Sequence, residues 1–355
     1  MSTNDNSNAV HLVLTNDIWI EPSYWIPGFH LGWDATFRII SPPSTAPISR
    51  TRHLLAPMPS DESTTAGSWT IGRLLKWTTD FLRDKGSESP RLDAEVLLAH
   101  ARNCPRIELY TAFEEEVVES VRTAFRELVR RRAERVPVAY LVGYREFFSL
   151  SFQVTPDVLI PRPETELLVV RALDLAKECQ GEGKVRIADV GTGSGIIAIC
   201  CAKHISESST LAIDISPSAL QVAKSNAAKH EVVDRITFLE SNLFDQHPAA
   251  PEFDLILSNP PYVTSSEMQE LDAQVLDHDP HLALDGGEQG TSIIEQLIPQ
   301  SAKRLRSRGW LLIEVGPNNA SLVEQLVEEE SDLIKHKTIS DLAGHPRLVQ
   351  AQRKN

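Results

Sequence analysis

The 355-residue sequence has no run of about 20 apolar residues, so nothing in it has the length and composition of a membrane-spanning helix. Cysteine is scarce. Cys104, Cys179, Cys200 and Cys201 show no C-x-x-C spacing and two of them are adjacent, which argues against a disulfide framework and suits a reducing cytoplasm. The 11 histidines include no H-E-x-x-H or similarly paired ligands, so no metal site is expected. Positive charge is also short, with 35 Lys and Arg against 49 Asp and Glu and a formal net charge of -14. The chain therefore lacks the basic stripe with which a protein grips nucleic-acid phosphates. Arg130-Arg131-Arg132 is the main exception, and its helical surroundings (Val121, Phe125, Leu128, Val129) make it a solvated helix face. What remains is 41% apolar and 24% charged, a globular composition long enough for two domains.

Residues 1–67 carry Ser, Thr, Asn and Pro without a sustained period and read as a poorly ordered extension. Asp5 and Asp17 break any signal-peptide core, and Asp5, Asp17, Glu21 and Asp34 speak against a transit peptide. Met58, just ahead of the first helical pattern, is the expected start of the native protein. Residues 68–145 are expected to form a small helical bundle. Ile71, Leu74, Leu75, Phe81 and Leu82 open its first helix. Ser89-Pro90 supplies a cap and first turn for a second, continued by Leu92, Val96, Leu97 and His100. A third covers residues 117–133. Such a bundle packs against the larger domain or extends its reach.

Residues 146–355 make the second domain. Residues 147–154 alternate as a strand or hairpin, and Pro156, Pro161 and Pro163 lead into a helix from about Thr165. Apolar runs at 185–190, 211–215, 236–240, 253–257 and 310–315 then alternate with helical patterns such as 196–203 and 218–229. That alternation predicts an α/β fold, doubly wound, with a mostly parallel sheet covered by helices on both faces. Residues 338–351 form an antiparallel edge hairpin around Gly344-His345-Pro346.

Chemistry in such sheets collects at the carboxyl ends of the strands. Ser258-Asn259-Pro260-Pro261-Tyr262 follows the 253–257 strand, and its prolines fix the backbone so that the Asn259 side chain and a prolyl carbonyl hold one geometry. Together these can grip both hydrogens of a planar NH2 group, with the Tyr262 ring beside them for stacking. Asp189-Val190-Gly191-Thr192-Gly193-Ser194-Gly195 joins the first strand of this domain to its first helix. Its G-x-G-x-G spacing differs from the G-x-G-x-x-G of a dinucleotide site, and Asp189 would repel phosphate and attract an ammonium group. Asp214 ends the next strand, where an acid accepts from both ribose hydroxyls; its competing use is a cap before Ser216-Pro217. Asn242 lies where an adenine amino group would fall, and Leu243 beside it can cover the adenine face. A nucleoside, an amino-acid group and a nitrogen-gripping loop together describe S-adenosylmethionine and a methyl acceptor, with orientation supplying much of the barrier reduction.

As a set, Asp189 to Gly195, Asp214 and Asn259 to Tyr262 resemble class I S-adenosylmethionine-dependent methyltransferases that act on nitrogen. Ser89-Pro90-Arg91-Leu92-Asp93-Ala94-Glu95 and Leu159-Ile160-Pro161-Arg162-Pro163-Glu164-Thr165-Glu166 narrow the resemblance to the peptide chain release factor glutamine methyltransferases, from about Trp69 to the C-terminus. The resemblance implies N5-methylation of the glutamine in the Gly-Gly-Gln motif of class 1 release factors, the helical domain helping to engage that protein. It places cofactor binding on Gly191, Thr192, Gly193, Ser194, Gly195, Asp214 and Asn259. Acceptor binding falls on Asn259, Pro260, Pro261 and Tyr262. Arg162 and Glu164 either line the acceptor cleft or form a salt-linked helix entrance. The chain departs from the family pattern at Glu164, where many members have Asp, at Asn242, where an acid is common, and at Asp279-Pro280, where Glu-Pro is usual. Competing readings are an adenine N6-methyltransferase acting on a flipped base, a non-catalytic cofactor-binding scaffold and a nicotinamide oxidoreductase. Charge disfavours the first, the intact 259–262 motif the second, and the loop spacing with Asp189 the third.

Overall fold

A computed structural model describes residues 68–179, 183–270, 273–276 and 278–355. The extension before residue 68, including the expected start at Met58, lies outside the described residues.

Five helices come first: α1 (Ile71–Asp84), α2 (Pro90–Arg102), α3 (Arg106–Thr111), α4 (Glu119–Ala133) and α5 (Val138–Val142). On α1 the buried residues Ile71, Leu74, Leu75, Thr78 and Leu82 form one stripe, as an amphipathic helix requires. The Thr70 side chain caps it by accepting from the Arg73 N–H. Helix α2 differs from expectation. Ser89 sits at its N-cap but its hydroxyl makes no capping bond, and of the anticipated face only Leu97 is buried while His100 is exposed. The reason is electrostatic: α2 buries two acids, Asp93 and Glu95, which its neighbours neutralise. Arg132 pairs with Asp93 at 2.7 Å, both side chains 10% exposed, so this member of the arginine triplet is an anchor between helices. Arg130, by contrast, makes surface pairs with Glu127 and Glu134. Burial pushes the Glu95 carboxyl up, but bonds from Tyr110, Arg106 and Arg91 outweigh it and hold the group below its ordinary value.

The hairpin of β1 (Tyr144–Phe147) and β2 (Leu150–Gln153) leads through α6 (Glu166–Cys179) into the main sheet. That sheet is laid down as β3 (Val185–Val190), α7 (Ile196–His204), β4 (Ser208–Asp214), α8 (Pro217–Lys229), β5 (Ile236–Glu240) and β6 (Phe253–Ser258). After the short α9 (Ala273–Leu276) come α10 (Ser292–Ala302), β7 (Leu305–Glu314), α11 (Ala320–Glu329), β8 (Leu333–Lys335), β9 (Ile339–Ser340) and β10 (Pro346–Arg353). Among the described residues the spatial order is β5-β4-β3-β6-β7-β10-β8, with β9 also on β10. Strands β3 to β7 are mutually parallel, and β10 runs antiparallel to β7, β8 and β9. This is the class I methyltransferase arrangement: a helical domain, a doubly wound mostly parallel sheet and antiparallel C-terminal strands.

Both faces of the sheet are buried, so strand residues alternate between two cores. On β7, Trp310 and Leu312 join the core with α6 and α7, while Leu311 and Ile313 join the one with α10 and α11. The order of strands reverses about β3: the chain runs outward through β4 to β5 on one side and then crosses back to β6 on the other. The crevice outside the strand ends at such a reversal is where ligands bind in open α/β sheets.

Asn226 of α8 fixes the hairpin to this framework. Fully buried, it accepts from the Gln153 N–H at 2.7 Å and donates to the Gln153 carbonyl at 3.0 Å and the Ser194 carbonyl at 2.9 Å. One amide thus joins β2, α8 and the glycine loop. Asn226→Ala leaves those backbone groups unpaired, each costing about 1–3 kcal/mol; we expect roughly 3 kcal/mol of destabilisation, read from the shift of the urea unfolding midpoint.

Candidate active site

The strand ends of β3, β4 and β6 surround a cleft of about 340 Å³, a size suited to a small-molecule ligand. Gly191, Thr192, Gly193, Ser194, Asp214, Asn242, Leu243, Asn259, Pro261 and Arg162 line it, so the structure brings together residues spread over some 100 positions of sequence.

The loop after β3 is built from positive-φ glycines. Gly191, Gly193 and Gly195 have φ of 75°, 54° and 83°, which an L side chain adopts only with strain. At Gly193 an added Cβ would meet nothing within 4 Å, and at Gly191 only the Asn259 carbonyl at 3.9 Å, so the loop backbone is open to a ligand. Gly195 has a different task. A Cβ there would lie 3.0 Å from Ile199 and 3.1 Å from Ala223, so this glycine permits close packing of α7 and α8.

Asp189 does not line the cleft. It is completely buried, and its Oδ2 accepts from the Thr192 hydroxyl at 2.6 Å and the Ala198 N–H at 3.0 Å. Its Oδ1 has no partner in the protein, and burial pushes the carboxyl up to about 7. The direct attraction of an ammonium group expected from sequence is therefore replaced by a structural task, the folding of the loop back on itself. Asp214 closes the loop from the other side. Its Oδ2 accepts from the Gly193 N–H at 2.8 Å and its Oδ1 from the Ser216 N–H at 2.9 Å. With the Ile215 N–H also close by, the carboxylate still has acceptor capacity left for a ligand hydroxyl. The bond to Ser216 also shows that Asp214 organises the start of α8, whose cap is the Ser216 hydroxyl accepting from the Ala219 N–H. Burial raises the Asp214 carboxyl above its ordinary value, with the backbone N–H bonds opposing.

On the third wall, Asn242 donates to Asp245 at 3.2 Å. Leu243 beside it is buried with a φ of 47°, a rare conformation for a non-glycine residue. At the end of β6 the Ser258 hydroxyl donates to the Val190 carbonyl at 2.7 Å, locking this strand end to the glycine loop. Asn259 Nδ2 donates to the Thr165 hydroxyl at 3.1 Å. Pro260 is buried, and neither it nor Tyr262 lines the cleft. The Tyr262 ring instead packs on Gly316, where an added Cβ would come within 3.2 Å of it, and burial with the nearby Glu314 carboxylate pushes its phenol up to about 12. The reason is spatial: the two prolines carry the chain past the cleft before Tyr262 is reached.

Arg162 and Glu164 are not salt-linked to each other. Arg162 donates to the buried Asp279 at 2.7 Å, and Glu164 stands 4.0 Å from Arg347. Asp279 also accepts from the Tyr140 hydroxyl of α5 at 2.7 Å. Sequence reasoning missed this junction and the 280–283 segment that it anchors over the cleft, because its partners are 139 and 117 residues away. It also missed Ile215, 54% exposed on the cleft wall, which was detectable as an apolar residue directly after a strand-end acid. Among the described residues no group of His, Cys, Asp and Glu side chains could hold a metal ion, and no helix is long and apolar enough to cross a membrane.

The buried Asp189 carries a pH dependence. Its native carboxyl titrates near 7 and its unfolded one near 3.8, so the native state holds a proton that the unfolded state has lost between these values. Stability from this group is greatest at the acid end of that window and declines as pH rises through it. Asp189→Asn should therefore gain stability relative to the wild type as pH increases from about 4 to about 7, measured by urea unfolding at several pH values. A stability difference that stays constant across the window would contradict the assignment.

Comparison with known proteins shows relatives over most of the chain. A family model described as the PrmC N-terminal domain matches residues 73–143, and one described as the methyltransferase small domain matches residues 165–287. The release factor glutamine methyltransferase of Rhodopirellula baltica is 50% identical over 286 residues, covering 80% of this chain and 97% of that protein. Those of Koribacter versatilis and Geobacter sulfurreducens are 41% and 38% identical, covering 74% and 72% of this chain and 90% and 87% of the respective proteins. With that extent of shared sequence, on both the helical domain and the sheet that carries the cleft, the chain belongs to the release factor glutamine methyltransferase family.

Proposed function

We propose that this enzyme methylates the side-chain amide nitrogen of the glutamine in the Gly-Gly-Gln motif of class 1 peptide chain release factors, with S-adenosylmethionine as methyl donor. Asn259 stands on the wall of the cleft that the glycine loop and Asp214 also line. The acceptor-gripping motif and the nucleoside-binding features thus share one space. Family membership supports the same reaction, and a translation factor as substrate supports a cytoplasmic location. It also displaces the nucleic-acid, scaffold and oxidoreductase alternatives.

The residues present fit the donor. Gly191 and Gly193 leave the loop backbone open, Asp214 has lone pairs available for ribose hydroxyls, and Ile215 and Leu243 offer apolar surface to an adenine ring. Asn242, whose Nδ2 is occupied by Asp245, presents its oxygen to an adenine amino group. Thr192, Ser194 and Gly195 shape the loop, and Asp189 holds it closed. When bound, S-adenosylmethionine supplies an electrophilic methyl carbon on a positively charged sulfur.

Orientation of the acceptor is the task of the protein. An amide nitrogen is a poor nucleophile because its lone pair is delocalised into the carbonyl. Hydrogen bonds from its two N–H groups to Asn259 Oδ1 and the Pro260 carbonyl hold the nitrogen toward the methyl group and favour the positive charge that develops on it. Pro261 and Arg162 line the acceptor side, Glu164 stands outside the lining beside Arg347, and the Tyr262 ring packs on Gly316. The helical domain extends the surface available to a protein substrate, tied to the catalytic domain through Tyr140.

Incubation with a purified class 1 release factor and S-adenosylmethionine, followed by peptide mapping with mass spectrometry, should find one added methyl on the Gly-Gly-Gln glutamine. Asn259→Ala should lower the rate by about 100-fold or more with circular dichroism unchanged. Full activity in that variant would remove Asn259 from the mechanism.

A further inference from the structure

Two buried polar residues stand behind Asn259 without a role in the reaction just described. Thr165, in the turn just before α6, is fully buried and accepts from Asn259 Nδ2. Glu314, the last residue of β7, is 2% exposed, and neither of its carboxylate oxygens makes a hydrogen bond within ordinary limits. Sheet register places it beside the motif: Ser258 pairs with Ile313 across parallel β6 and β7, so Asn259 and Glu314 leave adjacent strands together. The Thr165 hydroxyl is close enough to Glu314 to lower its pKa, against the larger opposite effect of burial.

These groups have a direction. A hydroxyl has one proton to give, and a fully buried one needs an acceptor for it inside the protein. An ionised carboxylate only accepts. Glu314, when ionised, is a buried acceptor without a hydrogen bond beside the Thr165 hydroxyl, and a Thr165 that donates its proton there meets Asn259 only as an acceptor. That fixes which way round the Asn259 amide lies: Nδ2 toward Thr165 and Oδ1 away from it. The opposite amide orientation would point an NH2 group at the NH2 group of the acceptor, two sets of donors face to face.

We propose that Thr165 and Glu314 are positioning residues for methyl transfer, forming a one-way chain Asn259 Nδ2–H to Thr165 Oγ1 and Thr165 O–H to Glu314 that reserves Asn259 Oδ1 for the acceptor amide. The proposal rests on the glutamine-methylation reading above and adds to it two residues outside the 259–262 motif. Burial, together with the neighbouring Glu164, pushes the Glu314 carboxyl up to about 7, while Thr165, Arg347 and Arg162 pull it down. Tyr262 is the other titratable group in contact with its field. On protonation Glu314 can donate, the Thr165 proton can turn to Asn259, and the amide is free to reverse. Activity therefore falls on the acid side of the Glu314 titration.

The test combines kinetics with a readout that needs no acceptor. Thr165→Val should lower kcat on a release factor by about 10–100-fold while the dissociation constant for S-adenosylmethionine stays within about twofold, and Thr165→Ser should restore most of the rate. Glu314→Gln should lower kcat and abolish the acid limb. In isotope-labelled protein the Asn259 side-chain NH2 resonances should shift with pH in the wild type and lose that titration in Glu314→Gln. Thr165→Val at wild-type kcat, Thr165→Ser no better than Thr165→Val, or an Asn259 titration unaffected by Glu314→Gln would each overturn the chain. Wild-type enzyme that titrates as described at Asn259 but leaves the release factor unmodified would overturn the acceptor reading and leave the chain standing.

Discussion

The buried carboxylate of Asp189 is the contact on which the rest of the site depends. By accepting from the Thr192 hydroxyl and the Ala198 N–H, it folds the residues between them into a loop that ends β3 and starts α7. The backbone in between must pass through left-handed conformations, which is why three glycines alternate there. Only in that shape does the Gly193 N–H meet Asp214 at the end of β4. A group that cannot reach a ligand thus determines where the groups that can reach one stand.

Around the loop, a few buried polar side chains join parts of the chain that helix and strand hydrogen bonds do not connect. Asn226 ties the hairpin to the loop, Ser258 ties β6 to β3, and Asp279 collects Tyr140 from the helical domain and Arg162 from the approach to α6. Each is paired to backbone or to an opposite charge, so burial costs little and the geometry becomes unique. Methyl transfer by orientation requires this rigidity, because an error of an ångström at the acceptor nitrogen costs more rate than the loss of any single weak contact.

Much of this architecture was legible in the sequence, for a physical reason. Strands buried on both faces are mostly apolar, so residues 185–190 and 253–257 stood out as runs, and the edge strand at 236–240 kept enough apolar residues, Ile236, Phe238 and Leu239, to be read despite its exposed Thr237 and Glu240. The first part of β7 was hidden, because Arg306, Ser307 and Arg308 interrupt it where the register with β6 shifts and Arg308 turns to a φ of 63°. Strand β8, Leu333–Lys335, is too short to show a period. At the site, the glycine loop, Asp214 and Asn259-Pro260-Pro261 were readable because each is a local motif at a strand end. Asp189 was readable as present but not as buried, since its partners' geometry is tertiary. Thr165, Asp279 and Glu314 were invisible as a group, because their relations cross between 94 and 149 positions of chain and leave no spacing to detect. Arg132 illustrates the same limit: a charge run on a helix does not reveal which arginine meets a buried acid on another helix.

In the proposed reaction Asn259, on the cleft wall, presents its oxygen to a glutamine amide beside the methyl donor, and the buried Pro260 next to it in the chain offers its carbonyl. A crystal structure of the enzyme with demethylated donor and a release factor tests it most directly. The glutamine side-chain nitrogen should lie within hydrogen-bond distance of both Asn259 Oδ1 and the Pro260 carbonyl, with Asn259 Nδ2 still on Thr165. A glutamine bound elsewhere, or an Asn259 whose NH2 group faces the acceptor, would contradict it.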